Sequence, residues 1–157
     1  MKIRNSLVSN SSSASYIIEI KKMDMDTFSS LMLSEYSYDL FSVEEILKKI
    51  NMQIEDYRNR LTQGQSDQWF KDWLKDAEKQ KEKFEKLLKS DSTVERVKTV
   101  LDYHGIEYTE KDNNLTLKSF TSMHNSFDEG LCPIMKEVAL YFMFEDNYEL
   151  IAKVDHD

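Results

Sequence analysis

The side chains that most often bind metals or carry out catalysis are few and widely separated in this sequence. The three histidines are His104, His124 and His156, and no two of them have the His-x-x-x-His spacing that brings two ligands to one helix face. No Glu-x-x-His pair is present either. The spacing therefore predicts no zinc or di-iron site, and we expect neither a metal nor another cofactor.

Nucleophilic and phosphate chemistry have little support from the residue types. Cys132 could act as a thiolate with His124 as its base, but a lone thiol among apolar neighbours is more typical of a small core residue. The three glycines, Gly64, Gly105 and Gly130, stand alone, which excludes a glycine-rich phosphate-binding loop. A single cysteine also excludes an intramolecular disulfide and is typical of a cytosolic protein.

Acidic side chains are the one plentiful chemical group. Asp128 and Glu129 form one adjacent pair, and Glu145 and Asp146 form another. A pair on neighbouring loops would serve acid/base work or hold magnesium, whereas surface turns collect acids for solubility in any case. We therefore predict that the chain is not an enzyme, and an enzyme with a dispersed carboxylate site stays an alternative.

The distribution of charge argues against nucleic acid as a partner. The net charge is −8, with +3 in residues 1–22 and −8 in residues 102–157. An acidic surface repels phosphate backbones, although the basic N-terminus alone could still touch an anion. Residues 1–22 contain no uninterrupted apolar run, which predicts a cytoplasmic protein without a membrane anchor.

Two tryptophans are candidate partner-binding residues. Trp69 and Trp73 are four residues apart, and Phe70 follows Trp69 directly. Together the three aromatic side chains cover a wider sector of a helix than a single buried face needs. One of the two is therefore expected to be exposed, as a binding anchor would be.

A helical centre is expected to position these side chains within one domain, residues 1–157. Ser42 with Glu45 and Ser92 with Glu95 form capping boxes, each followed by apolar residues at steps of three and four. We expect an antiparallel helical hairpin over 42–89, with Gly64 near its turn, and then a third short helix.

Strand patterns flank this centre. Residues 15–22 predict a first strand, and Asp24 or Asp26 would cap a short helix through about Leu33. Residues 105–154 are expected to be mainly β, with one hairpin over 106–120 and a second formed by 138–144 and 148–154. Pro133 also permits a helix through about Leu140. The predicted fold is α+β, with the N-terminal strand joining an antiparallel C-terminal sheet.

Residues 4–18 carry the one resemblance to known proteins. They read Arg-Asn-Ser-Leu-Val-Ser-Asn-Ser-Ser-Ser-Ala-Ser-Tyr-Ile-Ile. This segment resembles an N-terminal signature, Arg-x-Gly/Ser-Phe-Val-Ser-Asn-Ser-Ser-Ser-Ser-Ser-Phe-Ile/Val-Ile/Val, shared by many uncharacterised proteins of bacteriophages and some bacteria. Leu7, Ala14 and Tyr16 depart from it conservatively. The resemblance implies a phage-type origin and no particular activity.

The polar segment 1–14 is expected to form an N-terminal arm. Its serines and Asn10 offer short donors and acceptors that favour turns, and a loop of this kind could hold an anion. Arg4 is a candidate to pair with an acidic group of a partner, and Asn10, Glu145 and Asp146 complete the candidate contacts.

The leading functional hypothesis is a small acidic phage accessory protein that binds a host or phage protein without catalysis. The acidic C-terminal third would compete for a basic surface, and the helical hairpin would offer a long contact face. The alternative is a virion or assembly component that forms homo-oligomers through the hairpin.

Overall fold

Five helices and four strands form the described part of the chain, which comprises residues 14–34, 40–64, 67–121, 133–143 and 150–156 of a computed structural model. In chain order the elements are β1 (Ala14–Ile20), α1 (Met25–Met32), α2 (Val43–Thr62), α3 (Gln68–Leu88), α4 (Thr93–Tyr103), β2 (Ile106–Lys111), β3 (Asn114–Thr121), α5 (Pro133–Met143) and β4 (Leu150–His156). The α+β class predicted from the sequence is confirmed.

The four strands make one antiparallel sheet in the order β2-β3-β1-β4. The N-terminal strand lies in the centre, and Ile18 is opposite Leu117 of β3 and Ala152 of β4. Side chains at alternate positions of β1 are buried, namely Tyr16, Ile18 and Ile20. This period of two places one sheet face against the helices, as the sequence pattern predicted.

Local capping signals fix where the central helices begin and end. The Ser42 hydroxyl accepts a hydrogen bond from the Glu45 backbone N–H at 3.3 Å, and Ser92 caps α4 through the Glu95 N–H at 3.2 Å. Gly64 has φ of 97°, a left-handed conformation that few other residues adopt without strain. The serine N-caps of both helices and the left-handed glycine after α2 are therefore confirmed. The second half of the capping box is not formed at α4, because the Ser92 N–H donates to the Ser90 hydroxyl at 3.3 Å and the Glu95 carboxylate accepts from that hydroxyl at 2.7 Å.

The predicted second hairpin is wrong in its first strand. Residues 133–143 form α5 instead, with Pro133 at the first helical position, where a missing N–H costs nothing. Its buried side chains Ile134, Val138 and Phe142 recur every four residues and so cover one helix face. β4, at 150–156, accounts for the described part of the strand predicted over 148–154, and it pairs with β1 rather than with a neighbour in sequence.

The main core lies between the sheet and the helices and includes only part of the hairpin. The hairpin residues that contribute fully buried side chains to it are Val43, Ile46, Ile50, Ile54, Ala77, Phe84 and Leu87. Phe84 packs edge-on against Tyr103 of α4, with ring centroids 5.4 Å apart. The other end of α3, near residue 70, lies about 20 Å further along the helix at 1.5 Å per residue.

Candidate functional site

Four aromatic side chains cluster where α2 ends and α3 begins, and we call Tyr57, Trp69, Phe70 and Trp73 the tip cluster. Ring centroids are 4.4 Å apart for Trp69 and Trp73, 5.3 Å for Trp69 and Phe70, and 5.1 Å for Tyr57 and Phe70. Tyr57 also packs against Trp73, with their ring centroids 6.3 Å apart. Most of these pairs are edge-to-face, the arrangement that aromatic quadrupoles favour.

Exposure within the tip cluster is uneven. Phe70 is buried, whereas Trp69 and Trp73 are 48% and 50% exposed. The sequence predicted one exposed tryptophan, and the structure exposes both to about half of their surface. An exposed pair of large aromatic rings on a buried aromatic support is the form that an interface anchor takes.

Heptad spacing in the two helices explains why the cluster forms. In α2 the seam positions Ile50, Ile54 and Tyr57 alternate steps of four and three, as in a coiled coil. Phe70 lies on the matching seam of α3 and meets Tyr57, since the helices are antiparallel. Trp69 precedes the seam residue by one position, so its ring lies at the edge of the seam.

Ion pairs hold the charged residues beside the cluster. Arg58 of α2 contacts Glu78 of α3 at 2.8 Å, and Arg60 contacts Asp56 within α2 at 3.1 Å. Both pairs are largely exposed, so each contributes well under about 1 kcal/mol to stability. Arg58 and Arg60, near the C-terminal end of α2, therefore both have a carboxylate partner.

The other predicted partner-binding residues cannot be joined to this cluster. Arg4, Asn10, Glu145 and Asp146 lie outside the described residues. Tyr57 was not predicted as a member of the site, because its ring contact with Trp73 depends on how α2 and α3 align. The heptad register of the two helices was the signal that would have found it.

The described residues offer little for metal or small-molecule chemistry. Among them, no group of three or more His, Cys, Asp and Glu side chains is placed to hold a metal ion. The depressions on their surface are shallow and open, and one is lined largely by charged residues of α3 and α4 such as Lys79, Glu82 and Glu95. Within the same ranges, no helix is both long and apolar enough to cross a membrane.

His104 ends α4 but favours the opposite charge state from the one its position predicts. A cation is favoured at a helix C-terminus, and this position alone would favour the protonated imidazole. Burial of the ring is instead the largest cause of a lowered pKa, and the positive charge of Lys49 lowers it further. Both effects stabilise the neutral form of the imidazole.

A pH dependence of stability follows from this lowered pKa. Above the ordinary value of 6.5 His104 is neutral in both states, and as pH falls below it the unfolded chain takes up the proton first. The free energy of unfolding should therefore decrease between pH 7.5 and pH 5.5 in urea titrations. His104→Asn should lack this component, and Lys49→Gln should reduce it. Identical slopes for wild type and His104→Asn would contradict the assignment.

No protein-family model matches the chain, and neither a curated protein nor a solved structure matches it.

Proposed function

We propose that this chain acts by binding another protein and that its role is not catalytic. The observation that carries the proposal is the half-exposed pair Trp69 and Trp73, supported by buried Phe70. Tryptophan is strongly enriched among the few residues that dominate interface energies. With the N-terminal signature and the acidic C-terminal third, the proposed role is that of a phage accessory protein that binds a host or phage protein.

The tip cluster is suited to binding because its rings are held before a partner arrives. Trp73 contacts both Trp69 and Tyr57, and the Gln53 side-chain amide donates to the Tyr57 hydroxyl at 2.7 Å. Side chains that are already ordered lose little conformational entropy on association. When a partner covers Trp69 and Trp73, little of the free energy gained by burying their rings is therefore offset by lost side-chain entropy.

The position of the cluster makes it accessible. Trp73 is eleven residues from Phe84, where α3 contacts α4, and this separation corresponds to about 16 Å along the helix. A partner can approach the two tryptophans without displacing the main core. Occlusion of the partner's own binding surface, or its recruitment to another protein, would be the mechanism.

The test is a tagged pull-down that compares two double variants with wild type in lysate of the cells that express the gene. Trp69→Ser/Trp73→Ser removes the exposed pair, and Met52→Ser/Leu140→Ser removes exposed apolar side chains elsewhere, which are 64% and 41% exposed. We expect one dominant partner with wild type and the Met52/Leu140 control. Loss of two anchors should lower its recovery at least tenfold.

Two outcomes would contradict the proposal. Recovery of the bait alone in repeated experiments would mean that no stable protein partner exists. Equal recovery of the same partner by the tryptophan variant would mean that binding occurs through another surface. Circular dichroism of both variants separates these outcomes from a failure to fold.

Self-association through the hairpin is the second candidate, and one observation favours it. Met52 is 64% exposed and borders an open depression with Leu47 and Leu88. Light scattering distinguishes the two functions, since the leading proposal expects a monomer of 18.6 kDa. A larger species that Met52→Ser converts to monomer would favour an assembly component instead.

A further inference from the structure

Two acidic residues of α3 lie beside the exposed tryptophans. At 100° per residue, Asp72 lies about 60° around the helix from Trp69, and Asp76 lies about 60° from Trp73. Lys71 is about 160° from both tryptophans, so its charge is on the other side of α3. Both aspartates are exposed.

Among the described residues no basic side chain forms an ion pair with Asp72 or Asp76, although Lys75 and Lys79 follow them by three residues along α3. Arg60 is paired with Asp56 at 3.1 Å, and Arg58 is paired with Glu78 at 2.8 Å. Asp72 accepts one hydrogen bond, from the uncharged Gln68 amide at 3.1 Å. The carboxylates of Asp72 and Asp76 therefore lie beside two exposed indole rings without an ion-pair partner in the described part of the chain.

We propose that the tip binds an arginine side chain in a basic segment of the partner protein. This inference rests on the proposed function and names the partner's chemistry at the same site. The guanidinium plane would stack on the exposed indole of Trp69 or Trp73, and its N–H groups would donate to Asp72 and Asp76.

Arginine fits this surface better than the other charged or apolar groups. Its guanidinium is planar, stacks on aromatic faces and is more weakly hydrated than the lysine ammonium. An acidic segment would be repelled by Asp72 and Asp76. A purely apolar segment would remove water from both carboxylates without giving them a partner, which costs free energy.

Fluorescein-labelled peptides provide the first test, with fluorescence anisotropy as the readout at about 0.15 M salt. We expect hexa-arginine to bind the full-length chain at least fivefold more tightly than hexalysine, and hexaglutamate not to bind. Charges more than about 8 Å apart are largely screened at this salt concentration, so the readout favours direct contacts. Equal affinity for hexa-arginine and hexalysine would overturn the proposal, because it would reflect charge alone.

Two charge-matched variants provide the second test. Asp72→Asn/Asp76→Asn and Glu107→Gln/Glu110→Gln each remove two negative charges from a chain of net charge −8, but the second pair lies on β2. We expect the first variant to weaken hexa-arginine binding about tenfold and the second by less than twofold. Trp69→Ser/Trp73→Ser should weaken it at least tenfold.

The outcomes separate this inference from the proposed function. Equal weakening by the two charge-matched variants would overturn the inference in favour of nonspecific attraction. No hexa-arginine binding, in a chain whose partner is still lost with Trp69→Ser/Trp73→Ser, would also overturn it while leaving the proposed function intact. A partner that binds through another surface would instead count against the proposed function.

Discussion

Phe28→Ala should lower the free energy of unfolding by about 3–5 kcal/mol, the range for removing a large aromatic ring from a core. Phe28 is fully buried in α1. Its ring meets Phe41 edge-on at 6.5 Å and stacks on Phe142 of α5 at 6.3 Å. Since it joins three separate parts of the chain, the cavity left by alanine cannot be filled by one local shift.

Urea titrations monitored by circular dichroism measure this loss. Phe28→Leu is the matched control, because it keeps an apolar side chain in the same place and should cost clearly less than alanine. Natural domains are stable by only about 5–15 kcal/mol, so the alanine variant should also melt at a much lower temperature. A loss below about 1 kcal/mol would show that this aromatic contact does not hold the core together.

Phe70→Ala should open the tip of the hairpin while leaving the sheet protected. Phe70 is buried against Tyr57, Trp69 and Trp73, outside the main core cluster that the described residues form. Removing it should cost about 3 kcal/mol locally. Because each 1.4 kcal/mol is a factor of ten, amides near residues 57–73 should exchange about 100-fold faster.

Hydrogen exchange followed by mass spectrometry resolves the tip from the rest of the chain. Trp69→Ala is the control, since its side chain is already half exposed and its removal should accelerate exchange far less. Amides of β1 and β3 should keep their wild-type protection in both variants. Equal acceleration in the sheet and the tip would mean that the hairpin end is not a separate unit of stability.

The helical centre of the fold could be predicted because its signals are local. A serine hydroxyl three residues before its backbone partner starts both α2 and α4, as at Ser42 and Ser92. A glycine with positive φ ends the first arm of the hairpin at Gly64. Such signals depend on a few neighbouring residues, so they act the same way in any tertiary context.

The C-terminal region was harder because its signals are not local. The short apolar run 138–144 satisfies a strand pattern and a helix pattern alike. Packing decides between them, since Ile134, Val138 and Phe142 are all buried on one face, and Phe142 contacts Phe28. The pairing of β4 with β1 joins segments that are far apart in the sequence, so no short stretch of residues predicts it.

The candidate site was predictable in part for the same reason. The i, i+4 spacing of Trp69 and Trp73 indicated exposed aromatic surface within one helix. The contact between Trp73 and Tyr57 depends on the register between α2 and α3, and the heptad pattern limits the possible registers without selecting one. The acidic flank, Asp72 and Asp76, was not predicted, because net charge summed over long segments does not show which charges lie on one side of a helix.

Trp69 and Trp73 are proposed to form the contact surface for a protein partner. They are the two tryptophans of the chain, so 5-fluorotryptophan incorporated into it gives one fluorine resonance for each site. The decisive measurement is the ¹⁹F NMR spectrum of this labelled chain with and without the captured partner. Both resonances should move as the indole rings lose contact with water. A complex that forms while both resonances stay at their free positions would contradict it.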